Sequence, residues 1–197
     1  EVVPTTTPWT QASELQFTYP HPDEAAVVAF VDDETSPERR ILNQLAGNLI
    51  EAPFYTALRT ERQLGYITFA TAFPLVNTPL LAGAIQSPVA NPDVLVDAMR
   101  AEFEAFPEQV RAMPAEQFTA AKRSLINELN NPPQTQGELS SNLWQTIGLQ
   151  RPFNDRIVQA MALERLTQED FVEYLKQRIQ NPIVLKAARV GGEPQPQ

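Results

Sequence analysis

The chain has 197 residues, with 15 Lys and Arg against 24 Asp and Glu, and a formal net charge of −9. This excess of acid argues against nucleic acids and anionic membranes as partners, because both bind basic surfaces. The chain has no cysteine, which excludes disulfides and thiolate catalysis, and no apolar run approaches the ~18 residues of a membrane span. Since it begins at Glu1 without a Met or a signal-like segment, we expect a piece of a longer polypeptide.

Strand patterns follow a short lead-in at the start of the chain. Residues 1–13 are rich in Pro and Thr and predict a linker or extended lead-in. Leu15, Phe17 and Tyr19 alternate with polar residues, which predicts a half-buried strand. After a Pro-rich turn, the Val-rich run at 25–31 predicts a buried central strand.

Two helices and a pair of strands are expected next. Ser36 stands directly before a proline and is typical of a helix N-cap. Residues 54–62 predict a second helix, and Gly65 is well placed to end it by adopting a positive φ. The segments 66–73 and 80–87 predict two strands joined by a loop or hairpin that contains Pro and Asn.

From residue 91 the apolar period changes from two to 3.6, which predicts a series of helices. Asn91 is a second N-cap candidate, Pro114 starts another helix, and Thr167 opens a capping box. Residues 183–190 predict a last strand, and the tail at 191–197 should be disordered. On the helix that Pro114 starts, the residues expected to face inward are Phe118, Ala121, Leu125 and Leu129. Helical apolar spacing also marks three further helices, at Leu95, Met99 and Phe106, at Leu139, Leu143 and Ile147, and at Phe171, Leu175 and Ile179.

The order of these elements predicts one α+β domain over residues 14–190. Strands and helices do not alternate strictly, so a doubly wound parallel sheet is disfavoured. A mainly antiparallel sheet with helices packed over one face fits the order better.

The chain offers few residues that could bind a metal or act in acid–base catalysis. His21 is the single histidine, whereas a catalytic zinc site needs two or three His or Glu ligands. We therefore expect His21 to be an exposed turn residue. Asp32 and Asp33 are adjacent, so on a strand they would point to opposite faces, and we expect them to form a strand-end turn.

One segment carries a family resemblance. Residues 58–66 read Leu-Arg-Thr-Glu-Arg-Gln-Leu-Gly-Tyr, and they resemble the Leu-Arg-Thr-x-x-Gln-Leu-Gly-Tyr signature of insulinase/pitrilysin-type zinc metalloproteases. The ending Gln-Leu-Gly-Tyr is similar to the large, single-chain branch of that family. The resemblance implies a non-catalytic domain from the C-terminal half of a clamshell-shaped protease.

The resemblance also implies roles for two residues. Zinc and the general base would lie in the N-terminal half of the parent enzyme, so no metal is expected in this piece. Arg59 and Tyr66 would bind substrate, with the Tyr66 hydroxyl directed at the oxyanion of the tetrahedral intermediate and Arg59 at a carbonyl or carboxylate. From spacing alone, Arg59 could instead pair with a Glu of its own helix, and Tyr66 could be an ordinary strand-start aromatic.

Three functions stay open on the sequence. The chain could form part of the substrate chamber of a zinc endopeptidase, with sibling domains and a peptide as its partners. It could be a non-enzymatic structural or partner subunit of the same superfamily, or a free-standing binding module. An upstream His-x-x-Glu-His in the parent reading frame would favour the first. Large bacterial relatives are often periplasmic, which favours that compartment.

Overall fold

The computed structural model describes residues 12–190, which form a five-stranded sheet in the order β1-β5-β2-β4-β3 and six α-helices. All pairings are antiparallel except that of β1 with β5. The predicted tail at 191–197 and residues 1–11 of the predicted linker at 1–13 lie outside these residues, and Ser13 belongs to the first strand instead of the linker. The strands are β1 (Ser13–Tyr19), β2 (Glu24–Val31), β3 (Ile67–Leu75), β4 (Thr78–Ser87) and β5 (Ile183–Arg189). The helices are α1 (Pro37–Tyr55), α2 (Pro92–Ala112), α3 (Ala115–Asn130), α4 (Gln136–Gly148), α5 (Asp155–Arg165) and α6 (Gln168–Arg178).

The sheet is buried on one face, where α1 and α2 pack against it. Val28 and Phe30 of the central strand β2 point into this core. The ring of Phe103 meets that of Phe30 edge-on at 5.0 Å between centroids and that of Phe54 at 5.5 Å. Gly83 of β4 leaves room for these rings, since a Cβ there would lie 2.6 Å from Phe54. The predicted α+β class, with helices over one face of a mainly antiparallel sheet, is confirmed.

Strand β1 forms one edge of the sheet and is more exposed than predicted. Leu15, Phe17 and Tyr19 are 54%, 53% and 58% exposed, so the strand was predicted correctly and its half-burial was wrong. Their register with β5 puts these side chains on the face that α1 and α2 leave open. We call this face, with its exposed apolar side chains, the open face.

Helix α1 extends further than the sequence indicated. Ser36 caps it as predicted, its hydroxyl accepting from the N–H of Arg39 at 3.2 Å. The predicted separate helix at 54–62 is wrong, because α1 runs without a break into a π-helical segment at Thr56–Glu61. The Arg62 N–H bonds to the Ala57 carbonyl at 3.1 Å, five residues back, which is the π-helical spacing.

The later helices begin where their caps predict. The Asn91 side chain accepts from the Val94 N–H at 3.0 Å, and the Thr167 hydroxyl accepts from the Asp170 N–H at 3.1 Å. The helix that apolar spacing predicted around 139–147 is confirmed as α4. Its apolar stripe lies exposed within the described residues, because no described element packs over it. The exposed side chains are Leu139, Leu143, Trp144 and Ile147.

The β3–β4 hairpin is tied to the loop between α4 and α5. Its tight turn contains Val76, with φ of 62°, and Asn77. The Asn77 amide donates to the Leu149 carbonyl at 2.7 Å and accepts from Arg151 Nε at 2.8 Å. Both ends of one amide group therefore fix the hairpin tip to the helical layer.

A buried polar cluster joins α6 to the sheet. The Arg178 guanidinium donates to the carbonyls of Phe30 and Pro79. Its Nε lies 3.7 Å from Oδ2 of Asp32, and burial raises the pKa of that carboxyl group. The other Asp32 oxygen accepts from the Glu34 N–H at 3.1 Å, so the predicted strand-end turn is confirmed.

Burial also raises the pKa of Tyr174 to about 12. In the unfolded chain a tyrosine releases its proton near pH 10, so between about pH 10 and 12 the native state binds more protons. Stability must therefore fall as pH rises through this window, by up to about 1.4 kcal/mol per pH unit from this group. In Tyr174→Phe we expect the free energy of unfolding to fall less steeply as pH rises through this window. Urea unfolding at a series of alkaline pH values measures the slope.

The matched control is Tyr55→Phe, because Tyr55 is exposed and its substitution should leave the alkaline decline unchanged. Lysines and other tyrosines titrate in all three proteins, so the difference between slopes isolates Tyr174. Equal slopes for the parent chain and Tyr174→Phe would contradict the assignment.

Candidate functional site

The signature segment at 58–66 leaves the core at Arg59. Leu58 is fully buried, next to Phe54 one turn earlier, and these two side chains anchor the π-helical segment. Arg59 points away from them and is half-buried. Among residues 12–190 its guanidinium forms neither a hydrogen bond nor an ion pair. The pairing of Arg59 with a Glu of its own helix is therefore absent from the described structure.

The turn between the π-helical segment and β3 depends on two residues. Gln63 takes the left-handed conformation, with φ of 51°, and the Leu64 N–H bonds to the Leu58 carbonyl at 3.0 Å. The predicted positive φ at Gly65 is wrong, because the left-handed residue is Gln63. Gly65 serves close approach instead, since a Cβ there would lie 2.3 Å from the carbonyl oxygen of Gln86.

Tyr66 lies at the start of β3 with half of its surface exposed (50%). Its hydroxyl donates to Oδ2 of Asp23 at 2.5 Å. The same carboxylate oxygen accepts from Nε2 of Gln86 at 3.0 Å. The hydrogen bond to Asp23 raises the pKa of Tyr66, because only the protonated phenol can donate it; the negative charge of the carboxylate acts in the same direction.

Strand register brings these three residues together. Gln86 of β4 lies opposite Ala25 of β2 on one side and Ile67 of β3 on the other. Asp23 precedes β2 and Tyr66 precedes β3, so both arrive at the same end of β4. We call Asp23, Tyr66 and Gln86 the tyrosine cluster.

His21 lies beside this cluster in the turn after β1, exposed as predicted. Its Nδ1 accepts from the Asp23 N–H at 3.1 Å, so this nitrogen carries no proton in the arrangement observed. The 3.8 Å approach of Nδ1 to the Asp23 carboxylate is therefore not an ion pair. Within the described residues no three His, Asp or Glu side chains are grouped to hold a metal. His21 and Asp23 would supply only two ligands, whereas a zinc site uses three or four from the protein.

The open face next to Tyr66 is lined by large apolar side chains. Phe69 and Phe73 of β3 are exposed there, and Phe17 of β1 is exposed toward the other edge. Small residues such as Ala82 and Ala84 separate them on β4. The open face is thus a broad apolar wall with Tyr66 at one end. None of the helices described combines the length and the apolar character that crossing a membrane requires.

The sequence indicated Arg59 and Tyr66 and missed Asp23 and Gln86. Both missed residues are polar and come from segments interpreted only as a turn and a strand. A glutamine at the end of the run 80–86, which is otherwise without polar side chains, was the one local signal. The contacts themselves join residues 43 and 63 positions apart, and spacing within a segment does not reveal them.

Fold and signature together define the class, which is the C-terminal domain of an insulinase-type peptidase. The chain belongs to the family described as PQQ synthase PqqF-like, C-terminal lobe domain 4, whose model matches residues 45–144. This finding agrees with the resemblance carried by residues 58–66.

Relatives and solved structures support the same assignment. Protease 3 of Escherichia coli K12 is 28% identical over 167 residues, which cover 81% of this chain and 17% of Protease 3. Pitrilysin superposes with a TM-score of 0.78 at 23% identity, covering 93% of this chain and 20% of pitrilysin. An inactive peptidase domain from Pseudomonas fluorescens superposes with a TM-score of 0.69 at 13% identity, covering 94% of this chain and 45% of that structure. The chain thus spans about a fifth or less of Protease 3 and pitrilysin.

The packing of Gly65 on β4 is testable by substitution. We expect Gly65→Ala to lower the free energy of unfolding by roughly 1–3 kcal/mol, because the added methyl group overlaps the Gln86 carbonyl and the Ile85 side chain. Urea denaturation measures the change. Gly148→Ala is the control, since no atom lies within 4 Å of a Cβ at that position. Wild-type stability in Gly65→Ala would contradict the close approach.

Proposed function

We propose that this domain forms part of the peptide-binding chamber of a larger zinc endopeptidase and lends Arg59 and Tyr66 to the substrate. The zinc and the general base belong, in this proposal, to the N-terminal half of the parent chain. The observation that carries the proposal is that both signature side chains stand outside the domain's core, Arg59 half-buried without a described partner and Tyr66 half-exposed at the start of β3.

The state of Arg59 supports a role in binding. A guanidinium carries five N–H donors and favours carboxylates and carbonyl oxygens. Holding Arg59 half-buried without a described partner leaves those donors available. A substrate carbonyl or the carboxylate of a peptide terminus would satisfy them.

The position of Tyr66 supports a role in the transition state. Hydrolysis of a peptide bond passes through a tetrahedral intermediate with a negatively charged oxygen. A phenol O–H directed at this oxygen stabilises it more than it stabilises the ground-state carbonyl, and only such differential binding raises the rate. The phenol of Tyr66, on a half-exposed side chain, is chemically suited to this task.

The open face supports peptide binding beside Tyr66. Large exposed apolar patches on a protein surface usually mark a site where a partner or a ligand binds. The exposed phenylalanines of β3 would contact apolar side chains of a peptide whose backbone lies near Tyr66. The neighbouring sibling domains would close the chamber around it.

Substitutions in the full-length parent protease test the proposal. We expect Tyr66→Phe to lower kcat/KM by about 10²–10³-fold, the usual cost of losing one oxyanion donor. Arg59→Ala should lower kcat/KM by roughly 10–100-fold, because a hydrogen bond to a charged group is lost. Cleavage of a fluorogenic peptide gives the rates, and thermal unfolding should show that both variants stay folded.

Two controls match these changes in chemistry. Tyr55→Phe removes a hydroxyl from another exposed tyrosine, and Arg62→Ala removes an exposed guanidinium three residues after Arg59. Both should cleave at the rate of the unaltered enzyme. Unchanged cleavage in Arg59→Ala and Tyr66→Phe would refute the proposal and favour a structural subunit instead.

A further inference from the structure

The hydroxyl of Tyr66 has a single hydrogen, and that hydrogen is already used. A phenol donates one hydrogen bond, and here it donates to Asp23 Oδ2 at 2.5 Å. Donation to Asp23 and donation to an oxyanion therefore exclude each other. If Tyr66 acts as proposed above, its bond to Asp23 must break before or during the reaction.

The two partners of this bond differ in how firmly they are held. The Asp23 side chain is only 12% exposed, and its carboxylate also accepts from Gln86 Nε2 at 3.0 Å. The Asp23 backbone N–H is bonded to His21 Nδ1. Tyr66 is half exposed, and Asp23 is the one described partner of its hydroxyl. Asp23 is therefore the fixed member of the pair and Tyr66 the member free to move away.

We propose that Asp23 is a latch that holds Tyr66 in a resting position, and that substrate must draw the phenol away from it. This inference rests on the function proposed for Tyr66. A bond present in the free enzyme and absent in the transition state lowers kcat/KM, because its loss adds to the barrier. Gln86 keeps Asp23 in place after release, so the latch can close again without rearrangement of the turn.

The contact itself can be tested on the 197-residue chain without a substrate. The probe is tyrosine labelled with ¹³C at Cζ, whose chemical shift reports ionisation of the phenol. The Tyr66 signal, assigned by its loss in Tyr66→Phe, should titrate with a midpoint lower in Asp23→Asn than in the unaltered chain. Asp97→Asn is the control, because Asp97 is an exposed acid on α2. An unchanged midpoint in Asp23→Asn would overturn the latch.

Rates in the full-length protease test the function of the latch. We expect Asp23→Asn to raise kcat/KM by roughly two- to fivefold, since an exposed charged contact of this kind is worth little net in water. In the Tyr66→Phe background the same change should have no effect. Asp23→Ala should reproduce the increase and serves as the second variant if Asp23→Asn folds poorly. Asp97→Asn should match the unaltered enzyme.

The outcomes separate the latch from the function on which it rests. A fall in kcat/KM in Asp23→Asn would show that Asp23 orients Tyr66 for catalysis and would overturn the latch. An impaired Tyr66→Phe combined with an unchanged Asp23→Asn would defeat the latch alone. A fully active Tyr66→Phe would defeat the proposed function, and the latch would then have no reaction to control.

Discussion

One-sided burial of the five-stranded sheet is the constraint on which the rest of the structure depends. Side chains such as Val28 and Phe30 of β2 are in the core, under α1 and α2. Neighbouring residues along a strand point to opposite faces. The burial of one set of side chains under the helices therefore also decides which residues stand on the open face. The apolar wall, with Phe69 and Phe73 exposed, is the consequence of where the helices pack.

The same constraint positions the signature residues. Phe54 and Leu58 are buried in the core, so the π-helical segment between α1 and the next turn is fixed and Arg59 must face outward. Gly65 then lets the chain pass against β4, and β3 starts directly after Tyr66. An arginine and a tyrosine seven positions apart are thereby presented from two different elements of one rigid framework.

Local patterns predicted the elements well and their surroundings poorly. Ser36, Asn91 and Thr167 identified helix starts, because a cap is a contact within three residues. The stripes of β1 and α4 revealed amphipathic elements but not whether anything covers them, which depends on other parts of the polypeptide. Gly65 was assigned the wrong role because glycine serves both positive φ and close approach, and only coordinates separate the two. The contact of Asp23 with Tyr66 depends on the pairing of three strands and has no local signal.

Asn77 ties the far end of β3 to the helical layer, and this restrains sliding of an edge strand. A strand paired on one side can shift by two residues and keep the same faces, and such a slide would carry Tyr66 about 7 Å along β4. The amide bonds of Asn77 to Leu149 and Arg151 oppose that movement from the opposite end of the strand. The position of Tyr66 along the sheet therefore depends in part on hydrogen bonds at the other end of β3. That end lies about 30 Å away, the length of the nine residues of the strand.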